Sequence, residues 1–159
     1  MKTRINHGEI ISEGKRFFAD LLIENGKIVK IAPHIEETAD TVIDASGCYV
    51  MPGFIDTHTH FDLDLGVTVT ADDFKTGTRA AVLGGTTTVL DFATQDRGMT
   101  MQDALDLWHK KADGNCCCDY GFHMTIDDWN ESIESELDAM FDAGITSFKM
   151  YLPSPAMMI

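Results

Sequence analysis

Gly53-Phe54-Ile55-Asp56-Thr57-His58-Thr59-His60 decides the reading of this chain: an apolar run follows Pro52 and ends in two imidazoles spaced two residues apart. Side chains alternate across an extended strand, so Phe54, Asp56, His58 and His60 take one face and Ile55, Thr57 and Thr59 the other. The Cα atoms of the two histidines are then roughly 6.6 Å apart, at about 3.3 Å per residue. From there both rings can converge on one metal ion at Zn–N distances of about 2.0 Å. The same spacing serves a surface or hydrogen-bonded pair of histidines, and spacing alone does not decide between them. The run is expected to be a buried strand.

Downstream of this strand the sequence alternates strand-like and helix-like segments, the pattern of βα repetition. The strand candidates are Gly53 to His58, Thr86 to Ala93, Tyr120 to Ile126 and Ile145 to Leu152, each rich in β-branched or aromatic residues. A first helix is expected from about Asp72 to Leu83, closed by Gly84 and Gly85. A second carries Met101, Ala104, Leu105, Trp108 and Ala112 on one face, with Thr100 and Asp103 as its start and Gly114 as its stop. A third runs from about Trp129 to Ala143, with Trp129, Ile133, Leu137, Met140 and Phe141 facing inward. In parallel sheets of this kind functional residues gather at the carboxyl ends of the strands, where His58 and His60 lie.

Upstream, Ala19 to Ile23 and Lys27 to Ile31 flank Glu24-Asn25-Gly26, and Asn-Gly is a strong hairpin signal. The expected organisation is therefore α/β: residues 1–51 as a small β-sandwich portion, then 52–159 as strands 1–4 of a (β/α)₈ TIM-like barrel. A whole barrel takes about 250 residues, so the barrel is expected to be incomplete in this chain. The end at Pro155-Ala156-Met157-Met158-Ile159, just after a strand, reads as truncation. Open strand edges then predict self-association.

The 159 residues carry 26 acidic against 12 basic side chains, a formal net charge of −14. That balance opposes binding to nucleic acid or to an anionic membrane surface. There is no long apolar span and no apolar export segment after Met1, so the expected compartment is cytoplasmic. Cys48 and the run Cys116-Cys117-Cys118 lack the paired spacing of a structural zinc site. A redox or soft-metal role for the triplet is the minor reading, and reduced thiols the major one.

The second chemical signal is Ser147-Phe148-Lys149-Met150-Tyr151, which sets a lysine inside an apolar strand. Such a lysine either snorkels to the strand end, pairs with a carboxylate, or, beside metal cations, loses its proton. A neutral amine there can add carbon dioxide to form a carbamate, an anion with two oxygens able to bridge two metals.

Taken together, Pro52 to His60, Thr70-Ala71-Asp72-Asp73-Phe74, Gly77-Thr78-Arg79-Ala80-Ala81, Gly84-Gly85-Thr86-Thr87, Asp91-Phe92, Asp119-Tyr120-Gly121-Phe122-His123 and Phe148-Lys149 resemble the hydantoinase/dihydropyrimidinase family of cyclic amidohydrolases. Ile23-Glu24-Asn25-Gly26-Lys27-Ile28 resembles the family's opening strands, so the likeness runs along essentially the whole chain.

The resemblance implies a dinuclear site with two divalent metal ions, usually zinc. His58 and His60 would ligate one, and Lys149, carbamylated by carbon dioxide, would bridge both. A hydroxide held between the metals would open a cyclic amide, a hydantoin or 5,6-dihydropyrimidine, to an N-carbamoyl amino acid. The family completes this site with two histidines and an aspartate from later strands, so the 159-residue chain alone is expected to be inactive. Full-length members commonly form homotetramers.

One departure is local: where the family places a substrate-binding tyrosine, five residues after the lysine, this sequence has Ser154. Losing one oxyanion donor costs about 10² to 10³ in rate. Asp62 and Leu65 fall in the loop expected to rim the substrate pocket. Asp56 is a candidate to orient a ligand histidine, and His123 a candidate for the barrel mouth. The enzymatic alternatives are allantoinase and dihydroorotase. The alternative of another class is a non-catalytic dihydropyrimidinase-related protein that uses the fold for oligomerisation and binding.

Overall fold

The computed structural model describes residues 1–151, and the chain divides into two compact units at Pro52/Gly53. The first holds β1 (Lys2–Ser12), β2 (Lys15–Glu24), β3 (Lys27–Ala32), β4 (Thr41–Asp44) and β5 (Tyr49–Val50). They form one sheet in the order β3-β2-β1-β4, with β5 also on β1. Asn25 (φ 51°) and Gly26 (φ 78°) close the expected hairpin. Glu13 (φ 50°) and Gly14 (φ 71°) close a second one, missed in the sequence because Glu-Gly is a weaker signal for the same two left-handed positions.

A bulge in β1 at His7 (φ 61°) is stabilised by Asp20, which is only 1% exposed. Its carboxylate accepts the backbone N–H of His7 at 2.8 Å and that of Ile35 at 2.9 Å. Burial alone would raise this carboxyl's pKa; the two N–H bonds and the nearby His34 and His7 outweigh it and hold the group below the usual carboxylate range. A carboxyl depressed in the folded state adds stability above its unfolded value of about 3.9, and that stability is lost as pH falls through the folded value. Urea midpoints of the wild type and Asp20→Asn should therefore differ most at pH 6 to 7. The gap should close as pH drops below about 4; a gap independent of pH would contradict the assignment.

The second unit holds β6 (Phe54–Thr59), α1 (Phe74–Leu83), β7 (Thr86–Gln95), α2 (Met101–Ala112), β8 (Asp119–Ile126), α3 (Ile133–Asp142) and β9 (Phe148–Met150). The four strands are parallel and lie in sequence order, which is the first half of a (β/α)₈ barrel. Reciprocal capping boxes start α1 at Asp73 with Thr76 and α2 at Thr100 with Asp103. Met101, Ala104, Leu105, Trp108 and Ala112 are all buried against the sheet, packed with Ala93, Phe122 and Met124. No helix among the described residues is long and apolar enough to cross a membrane.

Two expectations of burial need correction. Phe54 through His58 are exposed, because β6 is an edge strand paired only with β7 among the described residues. On α3, Ile133 and Met140 are fully buried, whereas Trp129 is 57% and Phe141 52% exposed. The helix begins only at Ile133, which leaves Trp129 in the preceding loop. Phe141 lies edge-on to Phe148 at 5.7 Å between centroids. The last strand is also shorter than expected, and Leu152 lies outside the described residues.

Candidate metal centre

Helices cover one face of the parallel sheet, and residues alternating with the buried core positions face the other way. On β7 the core takes Ala93, and on β8 Phe122, Met124 and Ile126. Phe92, His123 and Thr125 therefore share the opposite face with His58 and His60 of β6 and its extension, and Lys149 of β9.

Phe92 is the centre of this face. Its ring centroid lies 4.6 Å from that of His58, 5.0 Å from His60 and 4.8 Å from His123. The Lys149 ammonium sits over the same ring at 4.5 Å, and 5.0 Å from the Tyr151 ring centroid. His58 and His60 are 5.1 Å apart and nearly perpendicular, at 82°. Burial, then the charge of Lys149 and the neighbouring His58, push the His60 pKa below its ordinary value against the opposing pull of Asp91. That direction favours the neutral imidazole, whose lone pair can meet a cation.

The structure brings together two imidazoles and one amine. Among the described residues no set of three or more His, Cys, Asp or Glu is arranged to hold an ion. His123 stands beside the group, with both nitrogens engaged. Nε2 bonds the Thr57 carbonyl at 3.0 Å, and Nδ1 pairs with the Ser147 hydroxyl. Since a carbonyl only accepts, Nε2 carries the proton and Nδ1 accepts from Ser147. His123 thereby ties β8 to the residue preceding His58.

The remaining sequence candidates lie elsewhere. Asp56 accepts the backbone N–H of His58 at 3.1 Å rather than a ring nitrogen. Asp62 is engaged with α2: Lys111 donates to its carbonyl at 2.7 Å and stands 3.8 Å from its carboxylate. Leu65 is exposed in a loop closed by its own N–H on the Thr68 carbonyl at 2.8 Å. Ser154 lies outside the described residues. In the cysteine run, burial and the adjacent thiols push Cys116 up to about 11, which disfavours the reactive thiolate.

Asp91, quoted above only as part of the resemblance, is the residue to which sequence reasoning gave no role. It is 1% exposed and points to the helix side. Its carboxylate accepts from Thr59 Oγ1 at 2.9 Å, from the backbone N–H of Phe61 at 2.9 Å and Phe92 at 2.8 Å, and from Trp108 Nε1 at 3.1 Å. These bonds fasten the turn that follows His60 to β7 and α2. The available signal was a charged residue inside Val89-Leu90-Asp91-Phe92-Ala93, the same irregularity that singled out Lys149.

Residues 49–115 match the amidohydrolase family model. The chain is 47% identical to a D-hydantoinase of Streptomyces coelicolor, over 97% of this chain and 34% of that protein. It is 41% identical to a dihydropyrimidinase of Dictyostelium discoideum, over 93% of this chain and 30% of the relative. A crystal structure of a D-hydantoinase superposes with a TM-score of 0.89 at 46% identity, covering 93% of this chain and 32% of that one. The chain thus spans about a third of the length of the relatives it matches, corresponding to their amino-terminal part.

Proposed function

We infer that this chain belongs to the hydantoinase/dihydropyrimidinase family of cyclic amidohydrolases and supplies part of a dinuclear metal site. The observation that carries the reading is the convergence of His58, His60 and Lys149 on the Phe92 ring, at the carboxyl ends of parallel strands. His58 and His60 would hold one divalent metal, zinc being one of the ions that imidazole donors suit, and Lys149 as a carbamate would join it to a second.

The donor set fits. An ammonium beside two imidazoles repels a cation, whereas the carbamate of the same lysine is an anion with two ligand oxygens. Bound metal would supply Lewis acidity, polarising an amide carbonyl and lowering the pKa of a water. The chain's own residues do the positioning: Asp91 fixes the backbone just past His60, and His123 fixes the carbonyl just before His58. Phe92 packs against both imidazoles and the lysine.

The substrate class is a five- or six-membered cyclic amide opened to an N-carbamoyl amino acid. A full-length form that carries the remaining barrel strands, purified with Zn²⁺ and bicarbonate, is expected to release N-carbamoyl amino acids from dihydrouracil or hydantoin. Opening of allantoin or dihydroorotate alone would overturn the narrower assignment. No opening of any of the four would favour a non-catalytic relative, although that class lacks the ligands present here. A tetramer is the expected assembly, to be read by sedimentation of the same preparation.

A further inference from the structure

Thr125 is 1% exposed, and its Oγ1 has no hydrogen-bond partner among the described residues. A buried hydroxyl left unpaired is a cost that folds seldom carry without a reason. Thr125 pairs in register with Lys149 across β8 and β9, so both side chains leave the same face of the sheet. Its neighbours Met124 and Ile126 go into the helix-packed core. The Lys149 ammonium sits over Phe92 and Tyr151 and leaves the hydroxyl unanswered. The other hydroxyl near this face, Ser147, is already donated to His123.

We propose that Thr125 is the hydrogen-bond donor that holds the Lys149 carbamate in place, a positioning residue whose partner exists only after carbon dioxide has added. The proposal rests on the carbamate reading of Lys149. In that step the neutral Nζ forms a bond to the carbon of CO₂, one carbon–oxygen π pair moves onto oxygen, and an Nζ proton leaves to solvent. The product carries two acceptor oxygens on a longer arm, and a threonine hydroxyl is a suitable donor to either. Addition and donation reinforce each other: the hydroxyl lowers the free energy of the carbamate and gains the partner it lacks.

The test is ¹³C NMR of the Zn²⁺-loaded full-length protein titrated with ¹³C-bicarbonate, for wild type, Thr125→Val, Thr125→Ser and Lys149→Met. The valine variant keeps the shape and removes the hydroxyl. It is expected to lower the carbamate population at a given bicarbonate concentration by about tenfold, the scale of one hydrogen bond to an anion. Serine should restore it, and Lys149→Met should abolish the signal. Equal carbamate in wild type and Thr125→Val overturns the role of Thr125 alone. A wild-type spectrum identical to that of Lys149→Met overturns the carbamate reading and the inference with it. A urea titration separates packing from donation. Without bicarbonate Thr125→Val should be as stable as wild type or more so, because an unpaired hydroxyl has gone. An equal loss of stability with and without bicarbonate would make Thr125 an ordinary packing residue and overturn the proposal.

Discussion

Asp91→Ala is expected to lower the stability of the parallel-sheet unit by at least about 4 kcal/mol, a large part of the 5–15 kcal/mol that holds a typical domain together. The carboxylate is buried and accepts four donors from three places: β6 and the turn after it, its own strand, and α2. Hydrogen bonds to a charged group contribute about 1.5–3 kcal/mol each. Alanine leaves the Trp108 indole N–H, the Thr59 hydroxyl and two backbone N–H groups without an acceptor in a site closed to water. Asp91→Asn keeps one acceptor oxygen and should fall between the two. Urea unfolding followed by the fluorescence of Trp108 and Trp129 reports this unit, since both tryptophans lie within it. A shift of less than about 1 kcal/mol, the ordinary size of a point-mutant effect, would show that water replaces the carboxylate without difficulty.

The second large effect concerns the proposed ligands. Removing an outer-shell partner of a metal typically costs about 10–100-fold in affinity or activity, so loss of a ligand should exceed that range. In the full-length protein His58→Ala and Lys149→Ala are each expected to reduce zinc content to background and activity by more than about 10²-fold. The two should differ in rescue. Alanine at 149 leaves a cavity on the Phe92 face where a small carboxylate such as acetate can supply the two missing oxygens, whereas at 58 only an added imidazole has the right donor. Unchanged zinc in either variant would remove that residue from the site.

The sequence disclosed most where a local rule and a global one coincide. Alternation along Gly53 to His60 placed both histidines on one face, and helix periodicity identified the buried stripe of α2 residue by residue. What remained hidden depends on strand order. The exposure of β6 follows from its place at an edge, which no periodicity encodes. Phe92 reads as one more core aromatic until β6, β8 and β9 are set around it. Trp129 and Phe141 fit an inward stripe on paper, but α3 starts one turn later and only Ile133 and Met140 are fully covered. Asp91 and Thr125 were legible only as polar residues in apolar strands, and their partners come from elements far away in sequence.

The two hairpins of the amino-terminal sheet act as counting devices. Each turn has two residues, both left-handed, at Glu13-Gly14 and Asn25-Gly26, and such a loop admits no extra residue without changing its type. Because side chains alternate sides with a period of two, adding one residue at either turn and sliding the strand to fit would exchange the faces of Leu21 and the buried Asp20, taking the carboxylate away from the N–H groups of His7 and Ile35. Insertions near these turns are thus constrained by parity: the strands can absorb an even slip and keep their faces, but an odd one inverts them.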